Sequence, residues 1–363
     1  MNELPKIKDL IEMKKLYKEN QEIGIEIEME GDGVHNIKAN KTWKVLDDGS
    51  LRGPESAEYV LYNPISILDV PKALQKLEDL LRIATAKKKP SDRCGVHIHL
   101  NIQYMTFEQV MNLICLYLLL EPVLVSFCGE SREGNLFCLR TTDAEALVNL
   151  LIETRKYNDI YILNGAGNTY RYASINFAAI QKHGSLEFRA FRSPKSFKDI
   201  IPWINLLYDV KTHSLNFSNP EEIVESYSNV NGIDFLKKIF KKDVNYLLKN
   251  VTDIDLKLIK GVRQAQDIAY VQPIQPPITM KDLKKQEKKK IVNLNDIAIN
   301  LRDHPDDIQF IAPLQHIQWA GEVPQYLQPI EEREVEAQER EVAREALRRN
   351  VIDHIARRRG ENG

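Results

Sequence analysis

The stretch QEIGIEIEME, residues 21–30, alternates Ile23, Ile25, Ile27 and Met29 with Glu22, Glu26, Glu28 and Glu30. A period of two predicts a β-strand with one apolar and one acidic face. Two later stretches repeat the pattern. GVHIHLNI, residues 95–102, sets His97 and His99 against Val96, Ile98 and Leu100, and SLEFRAFRS, residues 185–193, sets Glu187 and Arg189 against Leu186 and Phe188. A sheet built from these segments carries glutamates, imidazoles and a guanidinium on one side. Packing that side against a core costs several kcal/mol per unpaired charge. The face is therefore either bathed in water or a site, and both readings stand on the pattern alone.

Working outward, TWKVLDDGSLRG places Asp48-Gly49, a hairpin-favouring dipeptide, between extended runs, and AEYVLYN at 57–63 reads as the returning strand. Three antiparallel strands are expected before residue 65. Residues 68–86 have helical spacing, with Leu74, Leu77, Leu80 and Leu81 on one side, and end in a lysine-rich loop. A helix is predicted from about Thr106. Its apolar run Val110–Cys128 is broken by Asn112, Glu121 and Pro122, which favours a core helix over a bilayer span. A loop through Arg132, Asn135 and Arg140 leads to a helix near 142–156. YRYASINFAAI at 170–180 reads as a strand joined to 185–193 by a His183-Gly184 turn, and the pattern from Lys198 to about Ile268 is helical. Strands, a helical insertion, strands and then helices predict an α+β fold with an antiparallel sheet.

The N-terminus MNELPKIKDLIEMKK lacks a signal-peptide core and reads as an amphipathic surface helix. Near Val271 the chain turns rich in Pro, Gln and Lys, so the expected organisation is a folded domain over 1–270, a linker over 271–292 and an extension over 293–363. In the extension, Glu331–Arg359 predicts a charged amphipathic helix with Leu347, Val351 and Ile355 at four-residue steps. It reads either as a solvated helix or as one that docks a protein partner or another copy. The 363 residues carry a formal net charge of -2, so no excess of positive charge draws the chain to nucleic acid. Four cysteines without zinc-site spacing suit reduced thiols and a cytoplasmic location, and Cys94 reads as a buried structural thiol. No partner membrane is expected.

Clustered carboxylates repel one another unless divalent cations lie between them, and carboxylate oxygens with one or two imidazoles suit Mg²⁺ or Mn²⁺. Such ions commonly hold nucleotide phosphates, where Arg189 and His99 would stabilise phosphoryl charge. GxxxxGK[ST], strand-linked GxGxxG and GxSxG motifs are absent, and GAGN at 165–168 is read as a loop.

Taken in order, GIEIEME, DDGSL with AEYVLYNP, CGVHIHLNI, YRYASINF and HGSLEFRAFRS resemble the amidoligase family of bacteria, fungi and large phages. That family is similar to glutamine synthetase and glutamate-cysteine ligase, and the resemblance covers roughly residues 20–215. It implies a curved antiparallel sheet of glutamine-synthetase catalytic type backed by helices. It also implies an ATP- and Mg²⁺-dependent ligase that joins a small-molecule or peptide carboxylate to an amine through an acyl phosphate; a phage-encoded copy would act in the host cytoplasm. By the same resemblance, Glu26 and Glu28 bind different metal ions, Asp48 and Glu58 complete one site, His97 and Glu187 are further ligands, and His99 and Arg189 face the ATP phosphates. The catalytic set is then Glu28, His99 and Arg189. Arg171 and Asn176 are candidates for a phosphate or substrate contact or for a structural hydrogen bond. Glu30 and the extension have no counterpart in the family pattern. Two rival readings remain open: a structural or interaction protein that inherited the sheet, and another metal-dependent phosphoryl-transfer enzyme.

Overall fold

The computed structural model describes residues 4–285, apart from 52–54, 90, 166–169 and 195. The extension 293–363 with its expected helix, and the end of the expected linker, lie outside the described residues. The chain begins with a single helical turn, α1 (Ile7–Leu10), where the sequence predicts a longer amphipathic helix. Backbone pairing explains the difference. The Ile7 and Lys8 N–H groups donate to the carbonyls of Met105 and Gln103 at 2.8 and 3.1 Å, and Ile7 and Ile11 are buried.

The alternating stretch forms β1 (Ile23–Asp32), followed by β2 (Trp43–Leu46) and β3 (Ser56–Leu61). These three are antiparallel, as the alternation predicts. The Asp48-Gly49 turn is present, with Leu51 N–H donating to Asp48 O, but it sits inside a longer loop rather than a two-residue hairpin. Helix α2 (Val70–Ile83) buries Leu74, Leu77 and Leu81. The lysines expected to form a loop make a short strand, β4 (Lys87–Lys89), because they pair with Glu30–Asp32 and Lys89 meets Asp32 at 2.5 Å. Next come β5 (Gly95–Asn101), α3 (Phe107–Cys128), α4 (Glu145–Tyr157) and α5 (Ile160–Gly165).

The strand predicted over 170–180 shrinks to β6 (Ile175–Asn176) and is followed by a helical turn, α6 (Ala179–His183). Local side-chain bonding cuts it short: Asn176 Oδ1 accepts the N–H of Ala178, a turn that competes with continued pairing. Strand β7 (Ser185–Arg192) then leads to α7 (Ile200–Ser214), α8 (Pro220–Ser228), α9 (Gly232–Phe240), α10 (Val244–Asn250) and α11 (Ile254–Ala269). Beyond α11 the chain runs back over the end of α4, where Ile274 N–H donates to Lys156 O at 2.8 Å.

The main path of the open sheet runs β2-β3-β1-β5-β7-β6, with β4 beside the far end of β1. Among the described residues, the named strands all pair antiparallel. The face bearing Ile25, Ile27, Ile98, Leu100, Leu186 and Phe188 is buried under helices, and the Tyr117 ring of α3 meets Phe188 edge-on at 4.8 Å. Burying one such side chain contributes about 1.5–3 kcal/mol. Helix α3 starts on a capping box, Thr106 and Gln109 each accepting the other's backbone N–H. It is long and apolar enough to cross a membrane, yet nearly all of it lies buried, packed by the sheet and by α7, α8 and α11.

One irregularity positions the site. Ile98 pairs with Phe188 and Val96 with Phe191, so two residues of β7, Arg189 and Ala190, stand opposite His97 alone. This is a β-bulge, which bends a strand and re-aims its side chains. The guanidinium of the buried Arg132 holds the bulge, donating to the carbonyls of Ala190, Arg189 and Asp92 at 3.0, 2.9 and 3.3 Å.

Candidate active site

The second face of the sheet brings the ionisable rows together. Glu26 on β1 pairs directly across with His97 on β5, and His99 with Glu187 on β7. Glu28 pairs with Glu58 on β3. The side chains meet. His97 Nδ1 lies 3.3 Å from Glu26 Oε2 and 3.5 Å from Glu187 Oε1, and its Nε2 lies 3.6 Å from Glu28 Oε1. His99 Nε2 is 3.2 Å from Glu26 Oε1. That pair is off line for hydrogen bonding, so Nε2 is a buried nitrogen without a hydrogen-bond partner, while Nδ1 meets Ser185 Oγ at 3.0 Å. Gly24 allows the imidazole this position, because a Cβ there would stand 3.1 Å from His99 Cβ.

Arg189 donates to Glu187 Oε1 and lies 3.3 Å from His97 Nδ1. Asn176 donates to the other Glu187 oxygen at 2.7 Å, which makes it the residue that fixes this carboxylate. Gly95 N–H donates to Glu28 Oε2 at 2.7 Å. Asp48 reaches the same region from the β2–β3 loop, its carboxylate anchored by the N–H and hydroxyl of Ser50, both at 2.8 Å. Three overlapping groups have donor atoms within 4.8 Å of one another: Glu26, Glu58 and His97; Glu26, His99 and Glu187; and Glu28, Asp48 and Glu58. Arg171 is not brought into them. It is exposed, bonded to the Tyr172 hydroxyl and stacked on that ring at 4.5 Å, while Arg189 approaches the same ring at 6.0 Å. Glu30 shares the acidic face but lies beyond the cluster, between Ser56 and Lys89.

The electrostatics record the crowding. Burial raises the Glu58 carboxyl, and the charges of Glu26, Glu28, Asp48 and Glu187 add to it, so that it titrates at about 8. Burial also pushes Glu28 up against the opposing pull of His97 and Arg189. Glu26 and Glu187 go the other way: burial is outweighed by His99 and His97 at Glu26, and by Arg189 and His99 at Glu187. His99 is raised despite burial, because Glu26 and Glu187 favour its imidazolium. Carboxylates packed this closely are stabilised by cations between them.

A cavity of about 270 Å³ opens beside Glu26 and His99, with Lys44, Lys182 and Tyr62 among its walls. A second, mostly apolar cavity of about 190 Å³ lies near Phe107 and Ile160 and has none of the clustered groups in its lining. Cys94 is buried and its thiol is pushed up to about 12 by burial, which removes it as a nucleophile.

Sequence reading missed three contributors. Ser185 shares the alternation of Glu187 and Arg189, so the period-two pattern already held its signal. Arg132 ends a short 3-10 turn after α3, where no periodicity marks it. The lysines of the cavity come from separate segments, which only the fold assembles.

A sequence model of the family described as "Putative amidoligase enzyme" matches residues 34–210. The match supports an amidoligase family assignment and suggests a ligase. It covers Asp48, Glu58, His97, His99, Glu187 and Arg189 and begins just after β1, leaving Glu26 and Glu28 outside. No curated protein matches the chain.

Proposed function

We propose that the chain is an ATP- and Mg²⁺-dependent carboxylate-amine ligase working on a sheet of glutamine-synthetase type. The observation that carries the reading is a set of three overlapping clusters of carboxylates, two of them with an imidazole, the donor atoms of each cluster lying within 4.8 Å of one another. The donor set fits hard divalent cations, being rich in carboxylate oxygen with few imidazoles. The buried Nε2 of His99, which has the Glu26 carboxylate at 3.2 Å but no aligned hydrogen bond, fits the same environment, since a ligand or its phosphate oxygen would satisfy it. Glu26, Glu28, Asp48, Glu58, His97 and Glu187 would hold the metal. Bound Mg²⁺ would neutralise phosphoryl oxygens and hold them in line.

The chain's own groups do the rest. A carboxylate does not accept an amine directly, because oxide or hydroxide is too poor a leaving group. Transfer of the ATP γ-phosphoryl to the substrate carboxylate releases ADP and gives an acyl phosphate. Attack by an amine then forms the C–N bond, expels phosphate and releases a proton. Arg189 and His99 stabilise charge on the transferred group, and Asn176 and Arg132 keep Glu187 and Arg189 in place for it. The lysine-walled cavity beside His99 takes the nucleotide.

The test is ADP release measured across a panel of acids and amines, followed by mass analysis. An amide formed in proportion to ADP supports the reading. ADP without amide points to a hydrolase, and absence of any Mg²⁺-dependent ATP binding points to a non-catalytic protein.

A further inference from the structure

The cavity beside Glu26 and His99 has one wall that owes nothing to the sheet. Residues 11–20 form neither helix nor strand, and they pass along the cavity as a strap that lines it with Lys14, Lys15 and Tyr17. The strap lies outside the span matched to the family. What pins it is Gln103, fully buried and absent from the cavity lining. Its side-chain amide donates to the carbonyls of Lys15 and His183 at 2.9 and 3.2 Å, and its oxygen accepts the N–H of Tyr17 at 2.9 Å. The Tyr104 hydroxyl adds a bond to Tyr17 O at 2.7 Å. Gly184, at a φ of +62°, leaves the space that Gln103 and Met13 occupy, and a side chain there would overlap both.

Across the cavity stand Lys44, over the Tyr62 ring at 4.7 Å, and Lys182. Among the described residues, none of these four lysines has a carboxylate within ion-pair distance. These four ammonium groups outnumber the one carboxylate of the lining, Glu26, and create a field that concentrates anions. Tyr17 and Tyr62 add aromatic surface of the kind on which a base stacks.

We propose that the Lys14–Tyr17 strap is the phosphate-binding wall of the nucleotide pocket, and that Gln103 is the positioning residue that sets its affinity for polyphosphate. The inference rests on the ligase reading for the choice of ligand, but its test does not need a ligase product. Full-length protein is titrated calorimetrically with inorganic triphosphate and with MgATP. The double variant Lys14→Ala/Lys15→Ala alters two exposed side chains and leaves the buried pin intact. It should weaken triphosphate binding by about tenfold or more and flatten its dependence on salt. Gln103→Glu keeps the acceptor for Tyr17 but loses the donor to Lys15 O, and should weaken triphosphate binding about tenfold. Rescue of affinity by Gln103→His, which retains a side-chain donor, would mark the effect as positional.

No triphosphate binding by the parent protein, or unchanged affinity in the lysine double variant, overturns the phosphate wall. Unchanged affinity in a folded Gln103→Glu protein overturns the role of Gln103. Triphosphate and ATP binding with the expected losses, but without any amide product, upholds the strap and sinks the ligase.

Discussion

Arg132 Nε donates to the carbonyl of Ala190 at 3.0 Å, and Nη2 of the same guanidinium reaches the carbonyl of Arg189 at 2.9 Å. One buried side chain therefore holds both residues of the β7 bulge. Replacing it with Met leaves these acceptors buried without a donor, which costs roughly 2–4 kcal/mol. Turnover should fall at temperatures where the variant is fully folded, because Arg189 loses its aim. Arg132→Lys should recover part of both losses. A denaturation midpoint equal to that of the parent protein would show that the bulge does not depend on Arg132.

Glu28→Gln keeps an oxygen for the Gly95 N–H and removes one charge from the cluster. We expect substrate-dependent ADP release to drop on the order of 10²-fold or more, since a metal ligand is weakened without disturbing the fold. Circular dichroism should match the parent. Undiminished turnover would remove the metal role assigned to this residue.

Metal-free protein should lose stability as pH rises through the range set by Glu58. Its folded-state value of about 8 lies above the ordinary 4.5, so the folded state binds the extra proton between those values. The contribution is complete below about 4.5 and gone above about 8, on the order of a few kcal/mol. Saturating Mg²⁺ should suppress the slope, and binding at pH 7 should release protons detectable in buffers of different ionisation enthalpy. A Glu58→Gln protein with the same pH slope as the parent would contradict this.

Glu121 gives a second window, away from the cluster. This carboxylate of α3 is fully buried, accepts from the N–H and hydroxyl of Thr141 and from the Ser174 hydroxyl, and is pushed up to about 7 by burial. The sign is the same as for Glu58: stability present below about 4.5 declines until pH passes 7, by about 3 kcal/mol. Chemical denaturation of Glu121→Gln between pH 5 and 8 should lack this component. A decline as steep as the parent's would assign the effect elsewhere.

Much of this molecule is written in side-chain periodicity, which reports the face of an element but not its partners. Strands β1, β5 and β7 and helices α2 and α3 are legible because burial of Ile25, Ile98, Leu186 or Leu77 demands a fixed repeat. The meeting of Glu26 with His97, and of His99 with Glu187, was an inference from three matching rows and needed the register to become distances. Segments whose conformation is decided by bonds to distant residues are not legible in this way. The N-terminal stretch MNELPKIKDLIEMKK reads as a surface helix, but its described part is held by Gln103 and Met105, and Lys87–Lys89 read as a loop until Asp32 pairs with them. In both cases the deciding partner lies dozens of residues away, where no local window reaches.

The unmatched residue on β7 also acts as a phase shifter. In an uninterrupted strand Phe191 would continue the row of Glu187 and Arg189, and a bulky ring would stand among the acids. With the extra position, Phe191 turns to the apolar side and pairs with Val96, stacking near Trp203 at 5.9 Å. Half the strand is thereby tuned for chemistry and half for packing, and each half can vary without forcing the other. Deleting Ala190 alone would remove the bulge yet leave Phe191 opposite Val96 on the apolar side, so the injury would fall on the aim of Arg189 and spare the packing that follows.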